Sequence, residues 1–121
     1  MQIRGFINES GELTLELTVI GFRGEATVNA IVDTGFTGSL YLPASIIAPL
    51  GMDLDGPGMS RLADGSVTRD LVFNGKIKWL ERIVPVKITL SFSDEVLLGT
   101  RLLENCRLLI DYPARQFFIE E

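Results

Sequence analysis

The sequence predicts an all-β fold, a closed barrel or sandwich of short strands, and three observations carry that prediction. Leu13, Leu15, Leu17 and Val19 alternate with Thr14, Glu16 and Thr18, and Ala26, Val28, Ala30 and Val32 resume the same period of two. Polar or glycine-containing turn signals recur between the apolar runs, as they do when strand follows strand. Helical patterning is confined to two short stretches. At 121 residues the chain suits one domain, 1–121, with a single core.

Taken in order, Gln2–Ile7 is a short mixed segment that ends in Asn8-Glu9-Ser10-Gly11, a cluster expected to turn the chain. Gly21-Phe22-Arg23-Gly24 is the next turn, so the first third reads as a meander leading to Asp33. Pro43–Gly51 puts proline at a helix start and glycine at its end, with Pro49 holding it to a short turn. Asp53–Gly58 reads as a loop. Met59–Ala63 and Ser66–Phe73 flank Asp64-Gly65, a strong hairpin signal. Asn74-Gly75 reads as a second tight turn, opening a long strand Lys76–Leu90 that Pro85 interrupts or places at an edge. Val96–Gly99 is a brief apolar strand. Thr100–Asn105 is the best helix candidate, with Thr100 as its cap and Leu102 and Leu103 inward. Arg107–Asp111 and Gln116–Glu120 are two last strands around Tyr112–Arg115.

Composition narrows the chemistry. With 46% apolar and 22% charged residues the chain is globular in character, and its net charge of −5 comes with singly scattered Lys and Arg. No basic stripe exists to neutralise phosphates, so nucleic acid is not an expected partner. Met1–Gly5 lacks an apolar leader and apolar runs are short, so no membrane association is expected. The one cysteine, Cys106, fits a reducing, cytoplasmic setting. Above all, the chain has no histidine. Ser-His-Asp and Cys-His catalysis and most catalytic zinc sites need imidazole, so carboxylates, hydroxyls, Lys, Tyr or a bound ion remain. No metal or cofactor is expected.

One stretch, Val28–Pro43, carries the site. A run of β-formers delivers Asp33 onto Thr34 and Gly35, placing a carboxylate at a strand end where the backbone turns. Gly35 and Gly38 allow close approach of another backbone. A plain Asx-type turn is the simplest structural reading of Asp33-Thr34-Gly35.

The apolar strand before Asp33, Gly38–Pro43 after it, the Asp64-Gly65 hairpin and Val96–Gly99 with its short helix occur in the order of one known family. The chain resembles the retropepsin-like aspartic proteases (clan AA), which include the retroviral proteases and small bacterial single-domain relatives. The resemblance implies a closed β-barrel or sandwich with one short C-terminal helix and one lobe per chain. It also implies a homodimer, because only one Asp-Thr-Gly is present and the family uses two. Peptide hydrolysis without His, Cys or metal needs one carboxylate to take a proton from water and one carboxylic acid to polarise the carbonyl. Two carboxyls about 3 Å apart share a proton, which favours acidic to mildly acidic activity.

By this resemblance Asp33 is the catalytic acid, Thr34 bonds across the dimer axis, and Gly35 lets substrate backbone approach. Ala63, Asp64, Gly65 and Ser66 form a flap closing over an extended peptide, Phe36 borders a substrate pocket or packs, and Met1–Ile7 with Gln116–Glu121 build an interchain sheet. Retroviral members usually carry alanine and acidic residues after the triad, where Phe36, Thr37 and Gly38 stand here. They also carry arginine directly after the late glycine, where Thr100 and then Arg101 follow. The expected function is an aspartic endopeptidase acting on protein or peptide substrates. The rivals are a non-catalytic peptide- or protein-binding module on the same fold and a carboxylate glycosidase, whose two carboxyls about 5–10 Å apart have no second candidate here.

Overall fold

A computed structural model describes residues 1–61 and 63–121, with the side chains of Ser60 and Thr68 left aside. The part of the expected Met59–Ala63 strand that falls on Leu62 lies outside the described residues. In chain order the elements are β1 (Gln2–Ile7), β2 (Leu13–Gly21), β3 (Gly24–Val32), β4 (Leu40–Pro43), α1 (Ala44–Leu50), β5 (Asp53–Arg61) and β6 (Val67–Trp79). They continue with β7 (Arg82–Ser91), β8 (Leu97–Leu98), α2 (Thr100–Leu103), β9 (Arg107–Asp111) and β10 (Gln116–Glu120).

The strands hydrogen-bond in the order β5-β6-β7-β4-β8-β3-β2-β1-β10-β9, and Val19 and Ile20 of β2 also pair with Ile77 and Lys76 of β6. That extra pairing closes β2, β3, β8, β4, β7 and β6 into a six-stranded barrel. Closure removes most of the exposed edges that a strand-rich chain must otherwise protect. The alternation read in the sequence supplies the filling: Leu15, Leu17, Val19 and Ala30 face inward beside Leu40, Leu42, Ile77, Ile88 and Leu98.

The centre of the barrel has a crossing geometry. β8 lies between β3 and β4, parallel to β3 through Ile31↔Leu97 and Val32↔Leu98, and antiparallel to β4 through Leu40↔Leu98 and Tyr41↔Leu97. Two residues of β8 thus join two strands whose connecting loop carries Asp33. Leu98 is fully buried between them.

Three expectations are corrected. Asp53–Gly58 is strand, not loop: a register shift between Leu54 and Gly56 takes up Asp55, and β5 is the outer strand of the sheet, where a proline such as Pro57 is tolerated. Asn74-Gly75 lies within β6, not at a turn, because Gly75 lets β6 pack closely on Ile88 and Met52, whose atoms a Cβ would meet at 2.5 and 3.2 Å. The turn instead falls at Leu80 and Glu81, both left-handed (φ 50° and 65°), which join β6 to β7 in a two-residue hairpin without glycine. Pro85 sits on β7 outside the stretch Ile88–Ser91 that pairs with β4, so it is edge-like as expected. Finally, the two short helical stretches are both present, as expected, but the cap of the second is corrected. α1 continues past Pro49 to Leu50, burying Ile47 and Leu50, and α2 has four residues, with Gly99 rather than Thr100 at its cap position.

Within this one chain the strands expected to build the interchain sheet pair with each other. β1 pairs with β10 from Gln2↔Glu120 to Phe6↔Gln116, and β10 also pairs with β9, so both sides of β10 are occupied. Arg82 and Glu121 form an ion pair that ties the C-terminal end to β7. The short β9–β10 turn is the physical reason, since it returns the chain beside its own first strand at once.

Replacing Leu98 with alanine removes a fully buried side chain at the crossing and is expected to cost about 2–5 kcal/mol of stability. Urea denaturation followed by circular dichroism measures it, and a loss below about 1 kcal/mol is incompatible with this packing.

Candidate active site

Asp33 follows the last residue of β3 and is held by three backbone contacts that its neighbours dictate. Its N–H donates to Leu98 O at 2.9 Å, so β8 fixes the end of β3. Its carbonyl accepts from Phe36 N–H at 3.1 Å, turning the chain back at once. The Gly35 N–H donates to Asp33 Oδ1 at 2.8 Å, the Asx turn expected of Asp-Thr-Gly. The other carboxyl oxygen accepts no hydrogen bond from any described residue and is left for water or a ligand.

Thr34 and Gly35 are exposed, and the Thr34 hydroxyl has no hydrogen-bond partner among the described residues. Phe36 is the reverse. It is only 6% exposed, stacks edge-on against Tyr41 with ring centroids 5.4 Å apart, and fills the space that glycine leaves at Gly38 and Gly99. A Cβ on Gly38 would stand 2.6 Å from the ring, and one on Gly99 would stand 2.6 Å from it and 2.1 Å from Gly38 O. Of the two expectations for Phe36, a pocket border or packing, this burial accords with packing beneath the loop.

The beginning of α2 completes the clamp. Gly99 N–H donates to Ser39 O at 2.9 Å, Thr100 N–H to Phe36 O at 2.9 Å and Arg101 N–H to Gly38 O at 3.2 Å. These helix-end donors have no partner within their own helix, and the Asp33 loop supplies carbonyls for them. Thr100 thus contributes its backbone here, not the side-chain cap read from the sequence.

The β5–β6 hairpin folds over this loop. A Cβ placed on Gly35 would lie 3.6 Å from the Ala63 Cβ, so the hairpin tip stands against the Asp33 turn. The tip connects Arg61 to Val67, longer than the two residues expected. Within it Asp64 Oδ1 accepts from the Ser66 hydroxyl at 2.6 Å and the Ser66 N–H at 2.9 Å, and Gly65 takes the left-handed φ of 88°. Asp33, Gly35 and Ala63 are thus brought together, while Asp64, Gly65 and Ser66 shape the tip above them. Between loop and hairpin an open groove of about 470 Å³ runs past Thr37, Ser39, Met59 and Val72. Sequence reading missed this groove, whose far wall comes from β7 and α2, distant in sequence from Asp33.

No protein-family model and no curated protein matches the sequence. Among solved structures the chain is similar to a retropepsin-like aspartic protease from Rickettsia conorii, at 18% identity and a TM-score of 0.67, over 98% of this chain and 90% of that one. It is also similar to the foamy viral protease–reverse transcriptase, solved in complex with an RNA/DNA hybrid, at 21% identity and a TM-score of 0.53. That match covers 78% of this chain and 12% of the viral one.

At the hairpin tip, the hydrogen bonds from the Ser66 hydroxyl and then the Ser66 N–H hold the Asp64 carboxyl below its ordinary range. A depressed folded-state value means that this support is present above the unfolded value and is lost as pH falls through the folded one. Carboxyl NMR titration is expected to place Asp64 lower than a free aspartate, with Ser66→Ala moving it up. Equal midpoints in both proteins would contradict the hydrogen-bonded tip. With crossing strands, clamped aspartate loop and covering hairpin in place, the fold of this chain is retropepsin-like.

Proposed function

We propose that the chain is one half of an aspartic endopeptidase, active as a homodimer that brings two Asp33 carboxyls together. The observation that carries this reading is the Asp33 carboxyl itself, which is fixed by backbone on one oxygen, free on the other, and covered by a hairpin. The exposed Thr34 hydroxyl, without a hydrogen-bond partner among the described residues, supports a second copy docking on this loop. Because β1 and β10 are already paired in cis, that docking uses the Asp33 loop and its surroundings, not the terminal strands.

The chemistry follows from two carboxyls sharing one proton. The ionised carboxyl takes a proton from water while the water oxygen attacks the peptide carbonyl carbon. The protonated carboxyl gives its proton to the carbonyl oxygen, leaving a neutral tetrahedral diol. Collapse then breaks the C–N bond as a carboxyl returns a proton to the nitrogen. The hairpin over the loop excludes bulk water and offers main-chain groups to an extended peptide.

Substrates are proteins or peptides, and no resident cofactor is required. Among the described residues no helix is long and apolar enough to cross a membrane. A cytoplasmic setting accords with Cys106, a half-buried thiol that donates to the Leu102 carbonyl at 3.8 Å and forms no disulfide.

Asp33→Asn keeps the shape and removes the acid and base, so peptide cleavage is expected to fall by at least about 10²–10⁴-fold with the fold intact. A peptide-library digest read by mass spectrometry, beside circular dichroism of both proteins, measures this. Undiminished cleavage by the folded variant would remove Asp33 from catalysis, and a wild type that binds peptide without cutting it would leave a binding module.

A further inference from the structure

We propose that the groove beside the Asp33 loop is a subsite that selects an acidic side chain of the substrate peptide through Arg101, assisted by Lys87. This inference rests on the proteolytic reading and adds the substrate class. Thr37–Ser39 form one side of the groove, Met59 and Val72 of the covering hairpin the other, and Lys87, Thr89 and Arg101 close it. The two charged residues lining it are both cations, and no acidic residue lines it among those described. Its continuity with both loop and hairpin places it along the path of a peptide lying over Asp33.

The cations have competing partners of their own, and their strengths decide which one reads the substrate. Lys87 Nζ donates to Asn74 Oδ1 at 2.6 Å and Asp55 Oδ1 at 3.1 Å, leaving one of its three donors free and much of its charge matched. Arg101 Nε stands 3.8 Å from Glu104 Oε1, beyond hydrogen-bond length, with both side chains largely exposed. A pair of that kind is worth about 0–1 kcal/mol and exchanges readily. A peptide carboxylate entering the groove meets the guanidinium as a planar fork, a stronger arrangement. Arg101 is therefore the principal reader.

The protein's charge of −5 opposes an acidic peptide only at long range. At physiological ionic strength charges separated by more than about 8 Å are largely screened, so the local cations set the preference. In a two-fold assembly the groove occurs twice, and acidic residues are selected on both sides of the scissile bond.

The test uses peptide pairs, identical except for Glu or Gln at one position, scanned across both sides of a cleaved bond. At about pH 6 a peptide glutamate is ionised. Wild type is expected to favour Glu about fivefold in kcat/KM at one position on each side, with the preference shrinking as salt is added. Arg101→Glu is expected to invert that ratio below one, and Arg101→Gln, the fallback if the first variant does not fold, to reduce it towards one. A wild type without any Glu preference, or a ratio unmoved by either folded variant, overturns the subsite. If wild type cuts neither peptide, the proteolytic reading fails instead. Fluorescence anisotropy of the same peptide pairs on Asp33→Asn then decides the subsite alone, since Glu-selective binding sustains it and equal binding overturns it.

Discussion

The backbone bond from Asp33 N–H to Leu98 O is the constraint on which the rest of this molecule depends. It exists because β8 runs between β3 and β4, two strands that are neighbours in sequence and are separated in space by just this insertion. A loop leaving β3 has to pass over the end of β8, and its carbonyls then meet the unpaired N–H groups where α2 begins. Three such bonds, from Gly99, Thr100 and Arg101, hold residues Phe36, Gly38 and Ser39. The residue is positioned by main chain, through its own N–H and carbonyl and through the Gly35 N–H on one carboxyl oxygen, and among the described residues it has no ion pair.

Glycine makes the clamp possible. Gly38 and Gly99 stand so close to each other and to Phe36 that a methyl group on either would overlap neighbouring atoms. The aromatic ring occupies the volume that those missing side chains leave, and its edge contact with Tyr41 extends the packing to β4. Apolar filling beneath the loop and hydrogen bonding around it are thus two aspects of one arrangement. What this arrangement presents upward is a single carboxyl with one oxygen, and a threonine hydroxyl, that have no hydrogen-bond partner among the described residues.

Much of this was legible in the sequence, for identifiable reasons. The period-two runs of β2 and β3 and the Asp-Thr-Gly turn are local features, and local chemistry fixes them. The misread segments are those where tertiary contacts override local signals. Asn74-Gly75 has the composition of a tight turn, yet the glycine is there for close packing on Ile88 and the asparagine to receive Lys87. The real turn, Leu80-Glu81, carries no turn residue because the two strands it joins are pinned along their length. Gly56 and Pro57 suggested a loop, although an outer strand with a bulge accepts both. The groove was invisible for a different reason. Its cations come from β7 and α2, and nothing in the spacing of Lys87 and Arg101 announces that they converge.

The central claim is that Asp33 works only as a pair, and subunit mixing tests it most directly. Wild type and Asp33→Asn are combined in equal amounts, allowed to exchange subunits, and assayed for peptide cleavage at constant total protein. If each site needs an Asp33 from both chains, only wild-type pairs are active and the rate falls to about one quarter of that of wild type alone. A rate of about one half, linear in the wild-type fraction, would show that each chain acts alone, and about three quarters that one Asp33 per pair suffices; either would contradict the shared site.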